Sequence, residues 1–99
     1  MDFPIIQDTK RNRFVMQLEG GRALVTYRLF DGGIAFLHTE VPEAYSGQGI
    51  GARLARHVLD YAREHSLKVK PYCPFIKAYI DSHPEYQSLS LFHQAQDEG

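Results

Sequence analysis

The sequence predicts one small α/β domain of the α+β kind. It holds a three-stranded antiparallel meander, a long helix, a fourth strand parallel to the third, and a short C-terminal helix. Three observations predict this. Apolar residues alternate with a period of two through residues 13–41, then recur at a period of about 3.6 through residues 49–65. Short glycine turns join the early strands, which makes neighbours antiparallel. A helix separates the third strand from the fourth, and such a crossover joins parallel neighbours.

Arg13-Phe14-Val15-Met16-Gln17-Leu18 is rich in β-formers, and Gly20-Gly21 turns the chain. Residues 22–30 place Ala23, Val25, Tyr27 and Leu29 on one face. Asp31-Gly32-Gly33 is a second turn signal. Residues 34–41 form the third strand, and Pro42 closes it. Ile50, Leu54, Val58 and Tyr61 then recur at helical spacing, with Ala55, Leu59 and Ala62 widening the stripe. Arg53, Arg56, Asp60, Arg63 and Glu64 fall largely on the other side. Residues 67–72 read as the fourth strand. Pro74 opens the second helix, whose apolar side is Phe75, Ile76, Tyr79 and Ile80. Lys77 and Asp81 make an i,i+4 pair outside it. His83-Pro84 ends it, and the last six residues are expected to fray.

The chain of 99 residues forms a single domain, and 43% hydrophobic content with six Tyr and six Phe suffices for one core. A net charge of −1 argues against a nucleic-acid partner. One cysteine excludes an internal disulfide and fits a reducing compartment. No apolar stretch approaches the roughly 20 residues of a membrane span. Met1-Asp2-Phe3-Pro4 lacks the basic and apolar regions of a signal peptide. The expected placement is cytoplasmic, with no membrane partner. One cysteine and scattered histidines show no metal-ligand spacing.

The stretch Tyr45-Ser46-Gly47-Gln48-Gly49-Ile50-Gly51-Ala52 lies between a strand and a helix. Three glycines at alternate positions leave backbone N–H groups uncovered, at the positive end of a helix. That makes a cradle for a pyrophosphate. Gly47-x-Gly49-x-x-Ala52 satisfies the loose dinucleotide fingerprint, but that motif wants an acidic residue ending the next strand, where Tyr72-Cys73 stands. A Walker loop ends in Gly-Lys-Ser/Thr, and Ala52-Arg53-Leu54 fails that. A third reading is the coenzyme A loop of the GNAT acetyltransferases, Gln/Arg-x-x-Gly-x-Gly/Ala. Residues 46–51 match it at Gly49 and Gly51 and depart at Ser46. The plain alternative is a glycine-rich connection that binds nothing.

More than the loop matches. His38-Thr39-Glu40-Val41-Pro42, the loop, Tyr61-Ala62-Arg63-Glu64-His65 and Pro71-Tyr72-Cys73-Pro74-Phe75 occur in that order. Ile76-Lys77-Ala78-Tyr79-Ile80 and His83-Pro84-Glu85-Tyr86 follow. Over about residues 12–90 the chain resembles the short GNAT-like N-acetyltransferases of the YjdJ type. The resemblance implies a minimal GNAT-like fold whose curved sheet splays between two parallel strands, where acetyl-CoA enters. It implies that Val41 and its neighbours bond the pantetheine arm through their backbone. It implies that Gly47, Gln48, Gly49, Ile50, Gly51 and Ala52 hold the pyrophosphate of coenzyme A. Arg53 or Arg56 would reach the 3′-phosphate, or else be a solvated helix charge. The acceptor is an unidentified amine. Longer GNAT domains wall the acceptor site with N-terminal elements. This chain is expected to begin at the meander, leaving the site open to a protein amine or completed by a partner.

Acetyl transfer needs a deprotonated amine, a polarised carbonyl and a departing thiolate. With Pro74 as the first helical residue, Cys73 is the N-cap, and free amides there would lower a thiol pKa. Two chemical roles fit it: a nucleophile forming an acetyl-cysteine, or an acid beside the departing thiolate. The resemblance implies a catalytic cysteine at this position; the competing reading is a small buried hydrophobe. Glu40 and His38, two apart on the third strand, share one face, expected to be the cofactor side, and either would accept the amine proton. The competing reading is a solvated carboxylate and a partly buried histidine. His57, His65 and His93 read as surface residues, and His83 as support for the end of the second helix. Phe75 and Tyr79 read as core, with the Tyr79 hydroxyl a minor candidate near the thioester. The enzyme reading stands against two others: a non-catalytic acyl-CoA-binding module, and a small interaction domain.

Overall fold

The alternating first half folds into four antiparallel strands rather than three. In the computed structural model, which describes residues 3–93, these are β1 (Ile5–Asp8), β2 (Arg13–Leu18), β3 (Gly21–Phe30) and β4 (Gly33–Glu40). The expected meander is β2–β4. The added strand β1 pairs with β2 from Ile5↔Met16 to Asp8↔Arg13. Four residues with exposed Ile6 at the sheet edge carry too little alternation to be seen in the sequence. The sheet therefore starts before the meander, and the expectation that it begins there is corrected.

After a 3₁₀ turn at Glu43–Tyr45 come α1 (Ile50–Glu64), β5 (Lys68–Pro71) and α2 (Pro74–Asp81), then a second 3₁₀ segment at Pro84–Leu89. The strand order is β1-β2-β3-β4-β5, and β5 lies parallel to β4 as the crossover requires. Gly49 caps α1 at its start and His65 at its end, matching the expected span. Pro74 is indeed the first residue of α2, with Cys73 at the N-cap position.

One face of the sheet carries the core. The stripe Ile50, Leu54, Ala55, Val58, Leu59 and Ala62 of α1 packs on Phe14, Met16, Val25, Tyr27, Ile34 and Phe36, and α2 adds Ile76 and Ile80. Each such large side chain, once buried, contributes about 1.5–3 kcal/mol. On β3, Ala23, Val25 and Tyr27 are buried as the alternation predicts, whereas Leu29 is exposed at the hairpin end. Gly33 is obligatory: a Cβ there would run into the Phe30 ring and lie 2.6 Å from the Lys68 carbonyl oxygen. That contact lets β4 and β5 meet.

Two irregularities position the site. First, Thr26 pairs with His38 but Tyr27 pairs with Phe36, so Leu37 is an extra residue in β4, a β-bulge. Before it, Ile34 and Phe36 point into the core. After it, Thr39 sits opposite buried Val25, while His38 and Glu40 sit opposite Thr26 and Leu24 on the other face. Second, β4 and β5 pair only from Gly33↔Lys68 to Phe36↔Pro71. The Cys73 N–H donates to the Phe36 carbonyl at 2.9 Å, and the chain then turns away into α2. Beyond Phe36, β4 runs on to Glu40 with that edge open. The two strands form a fork.

Candidate active site

A cavity of about 460 Å³ lies on the core side of the fork. Thr39 and Val41 form its β4 wall, Ser46, Gly47, Gly49, Ile50, Gly51 and Ala52 its floor, and Tyr45 and Phe75 its sides. The floor is a run of backbone amides. The first bond of α1 goes from the Arg53 N–H to the Gly49 carbonyl at 3.0 Å. The N–H groups of Ile50, Gly51 and Ala52 therefore have no intrahelical partner and sit at the positive helix end. Gly47 and Gly49 have φ of +80° and +79°, and a Cβ on either would meet nothing within 4 Å. Glycine is needed there for backbone conformation, not for space. Gly51 is needed for space: its Cβ would lie 2.8 Å from the Phe75 ring. The absence of a side chain lets Phe75 close over the first turn of α1 and wall the cavity. This donor set, open and uncovered, fits a pyrophosphate.

Two residues of the expected cradle stand elsewhere. The Gln48 amide group donates to the Ala44 carbonyl at 3.3 Å, and Gln48 does not line the cavity. The Arg53 guanidinium donates to the Phe3 carbonyl at 3.4 Å, toward the N-terminal segment. Arg56 lines a separate cleft between the helices with Tyr79, His83 and Tyr86. There the Tyr86 hydroxyl donates to Asp60 at 2.7 Å, and burial followed by that carboxylate pushes its pKa up to about 12.

Cys73 is 3% exposed and unpaired. Its sulfur makes no capping bond to the α2 amides, contrary to the expectation from its N-cap position. It lies instead 3.1 Å from the Thr39 hydroxyl, across the mouth of the fork. Thr39, not Cys73, faces the cavity. Sequence reasoning quoted Thr39 only as part of a motif and missed it, because unbroken alternation from Phe36 would point it away.

His38 and Glu40 pair with each other, Nε2 to Oε2 at 3.2 Å, and both are about 60% exposed (61% and 59%). The sequence placed their shared face on the cofactor side. The bulge at Leu37 reverses that: the pair lies on the helix-free face, alongside the fork, and does not line the cavity. Tyr79 stacks on His83 at 3.8 Å between ring centroids, away from the fork. Tail residue His93 is not a surface group. Its side chain is 10% exposed, with Nδ1 2.6 Å from the Ser90 hydroxyl and Nε2 2.5 Å from Asp81. Among the described residues no cluster of His, Cys, Asp or Glu could hold a metal ion, and no helix is long and apolar enough to cross a membrane.

The profile of the GCN5-related N-acetyl-transferase family matches residues 13–89. The chain is 40% identical over 85 residues to Protein NATD1 of Gallus gallus, covering 83% of this chain and 77% of that one. It is 39% identical to Protein NATD1 of Homo sapiens over the same length, 75% of that chain. An NMR solution structure of a GCN5-like protein from Staphylococcus aureus superposes with a TM-score of 0.74 at 30% identity, covering 97% of this chain and 94% of that one. The fork, the amide-floored cavity and the matched profile agree: the chain belongs to the GCN5-related N-acetyltransferase family.

Proposed function

We propose that the protein is an acetyl-CoA-dependent N-acetyltransferase. The observation that carries this is the cavity running from the free amides of α1 to Thr39 at the open fork. Acetyl-CoA, as co-substrate, supplies an activated acetyl group and a thiol leaving group. The amides of residues 49–52 hold its pyrophosphate, and the open edge of β4 through Val41 bonds its pantetheine arm. The His38–Glu40 pair takes the proton lost by the amine as its nitrogen bonds the acetyl carbon. The Thr39 hydroxyl, held by the Cys73 thiol, donates a hydrogen bond to the thiolate released when the C–S bond breaks, and the proton taken from the amine passes to water, from which the departing thiolate is protonated. A thiol 3% exposed is poorly placed to attack an incoming thioester, so Cys73 acts through Thr39. The single unpaired cysteine suits a reducing compartment, and we place the protein in the cytoplasm.

Thermal-shift titration with acetyl-CoA tests binding: ligand at 100 times Kd adds about 2.7 kcal/mol to stability. No shift removes the reading. Turnover against a panel of amines tests transfer. Burial of Cys73 also suits a second reading, an acyl-CoA-binding module without catalysis. Binding without turnover of any amine would select it.

A further inference from the structure

On the helix-free face, directly beside the fork, lies a second cleft of about 320 Å³. Its walls are Phe30, Ala35, Leu37 and Tyr72, and its charges are Arg28 and Lys70. Register explains the grouping. Arg28, Ala35 and Lys70 form one row across β3, β4 and β5, on the face opposite Ile34 and Val69. No carboxylate lines this cleft, and neither Arg28 nor Lys70 has an ion-pair partner among the described residues. Lys70 Nζ sits 4.5 Å over the Phe30 ring, which holds its charge at the cleft wall. Two cations thus line one cleft in which no described residue supplies a carboxylate. Further along β4, past Leu37, the same face carries the His38–Glu40 pair. Positive charge therefore lies on one side of the fork's opening and a carboxylate on the other.

We infer that this cleft is the acceptor site, and that the acceptor is a small amine carrying its own anionic group. The ammonium end meets Glu40 and gives up its proton there. The anionic end meets Arg28 and Lys70. Along β4 the row of Ala35 and the position of Glu40 lie four strand steps apart once the bulge is allowed for, about 13 Å. The long side chains of Arg28, Lys70 and Glu40 must therefore lean toward Leu37, which lies between, for a short amine with an anionic end to bridge them. A guanidinium favours a carboxylate or phosphate through paired N–H donors. The exposed bulge residue Leu37 and the Tyr72 ring pack the carbon chain between the two ends. This inference rests on the acetyl-transfer reading for its chemistry, but the charge arrangement can be tested without turnover.

The probes are γ-aminobutyrate, phosphoethanolamine and butylamine, titrated into the full-length protein with amide chemical shifts as readout. The expected result is concentration-dependent shifts at Ala35, Leu37 and Lys70 with γ-aminobutyrate or phosphoethanolamine, and none with butylamine. The two anionic probes separate carboxylate from phosphate preference. In the double variant Arg28→Gln, Lys70→Gln, affinity for the anionic probe falls about tenfold or more. Acetyl-CoA binding by the same variant, followed by thermal shift, is unchanged and shows that it is folded. Equal binding of butylamine, shifts that survive in the double variant, or no shifts at this cleft overturn the inference. A protein that binds γ-aminobutyrate at these residues but shows no acetyl-CoA shift would instead overturn the acetyl-transfer reading and leave the cleft standing.

Discussion

The Thr39 hydroxyl lies 3.1 Å from the Cys73 sulfur and bridges β4 to the start of α2 just past the point where the two backbones part. It links a cavity-lining hydroxyl to a buried thiol. Removing either member has separable effects. Thr39→Val leaves the thiol without its partner and should lower stability by about 1 kcal/mol. Because the hydroxyl stabilises the leaving thiolate by a hydrogen bond, kcat falls roughly a hundredfold while acetyl-CoA affinity holds. Unchanged kcat in Thr39→Val would remove the pair from the mechanism. Intact mass after incubation with acetyl-CoA is expected to show no adduct of about 42 Da. An adduct lost in Cys73→Ala would restore the nucleophile role.

Glu40→Gln keeps the shape of the outer pair but removes its capacity to accept a proton. Turnover should fall roughly a hundredfold, with the acetyl-CoA thermal shift retained. Wild-type turnover in this variant would mean that the amine loses its proton elsewhere.

The floor of the cavity can be probed at two glycines with different reasons for being glycine. Gly49→Ala forces a side chain to φ of +79° and should cost about 1 kcal/mol of stability, together with weaker acetyl-CoA binding. Gly51→Ala lies inside α1, where alanine is the better helix former by about 1 kcal/mol. Its methyl would displace the Phe75 ring, so its main effect is on the cavity. We expect near-native thermal stability and loss of acetyl-CoA affinity. Measuring melting temperature with and without ligand separates the two.

Two tyrosine and aspartate bonds set opposite ends of the pH–stability profile. The hydrogen bond from His93, then the charge of Lys77, hold the Asp81 carboxyl below its usual value of 3.8. A depressed carboxylate stabilises the fold fully above its unfolded pKa, and that contribution is lost as pH falls through the folded value. Asp81→Asn should flatten the stability profile below about pH 4. Tyr86 behaves in the mirror sense. Its pKa is raised from 10.0 to about 12, so its contribution is intact below pH 10 and lost as pH climbs through 12. Tyr86→Phe should remove that alkaline limb. Denaturant midpoints measured across pH check both.

Much of the fold was legible because its signals are periodic and repeated. Ile50, Leu54, Val58 and Ala62 announce α1 several times over, and Pro74 marks the start of α2 by its own chemistry. The crossover rule then makes β4 and β5 parallel without any residue-specific signal. What escaped was short or aperiodic. β1 has four residues, with Ile5 facing the core and Ile6 facing out, and adjacent isoleucines hide alternation. The bulge adds one leucine, a residue with no turn propensity, so nothing local marks it. From that single residue followed the reversed placement of His38 and Glu40 and the oversight of Thr39. The burial of His93 is not legible in the sequence, because its partner Asp81 lies twelve residues away at the end of α2 and meets it only after the chain folds back. The loop glycines were legible as a cradle, but Gln48 and Arg53 turn aside for reasons visible only in three dimensions.

Leu37 can be seen as a half-step shift in phase. Were Leu37 paired in regular register instead of bulged out, His38 and Glu40 would follow Ile34 and Phe36 toward the core side and Thr39 would face away. With the bulge, β4 offers apolar side chains to the core, a hydroxyl to the cavity, and a histidine–carboxylate pair to the far side of the sheet. Alternation separates the group that would attend a leaving thiol from those that would attend an incoming amine, and the bulged residue decides which face each takes, with the sheet itself as the partition. Deleting Leu37 would leave His38, Thr39 and Glu40 on their present faces, because their register with β3 already alternates regularly, and would remove only the bulge and its exposed leucine.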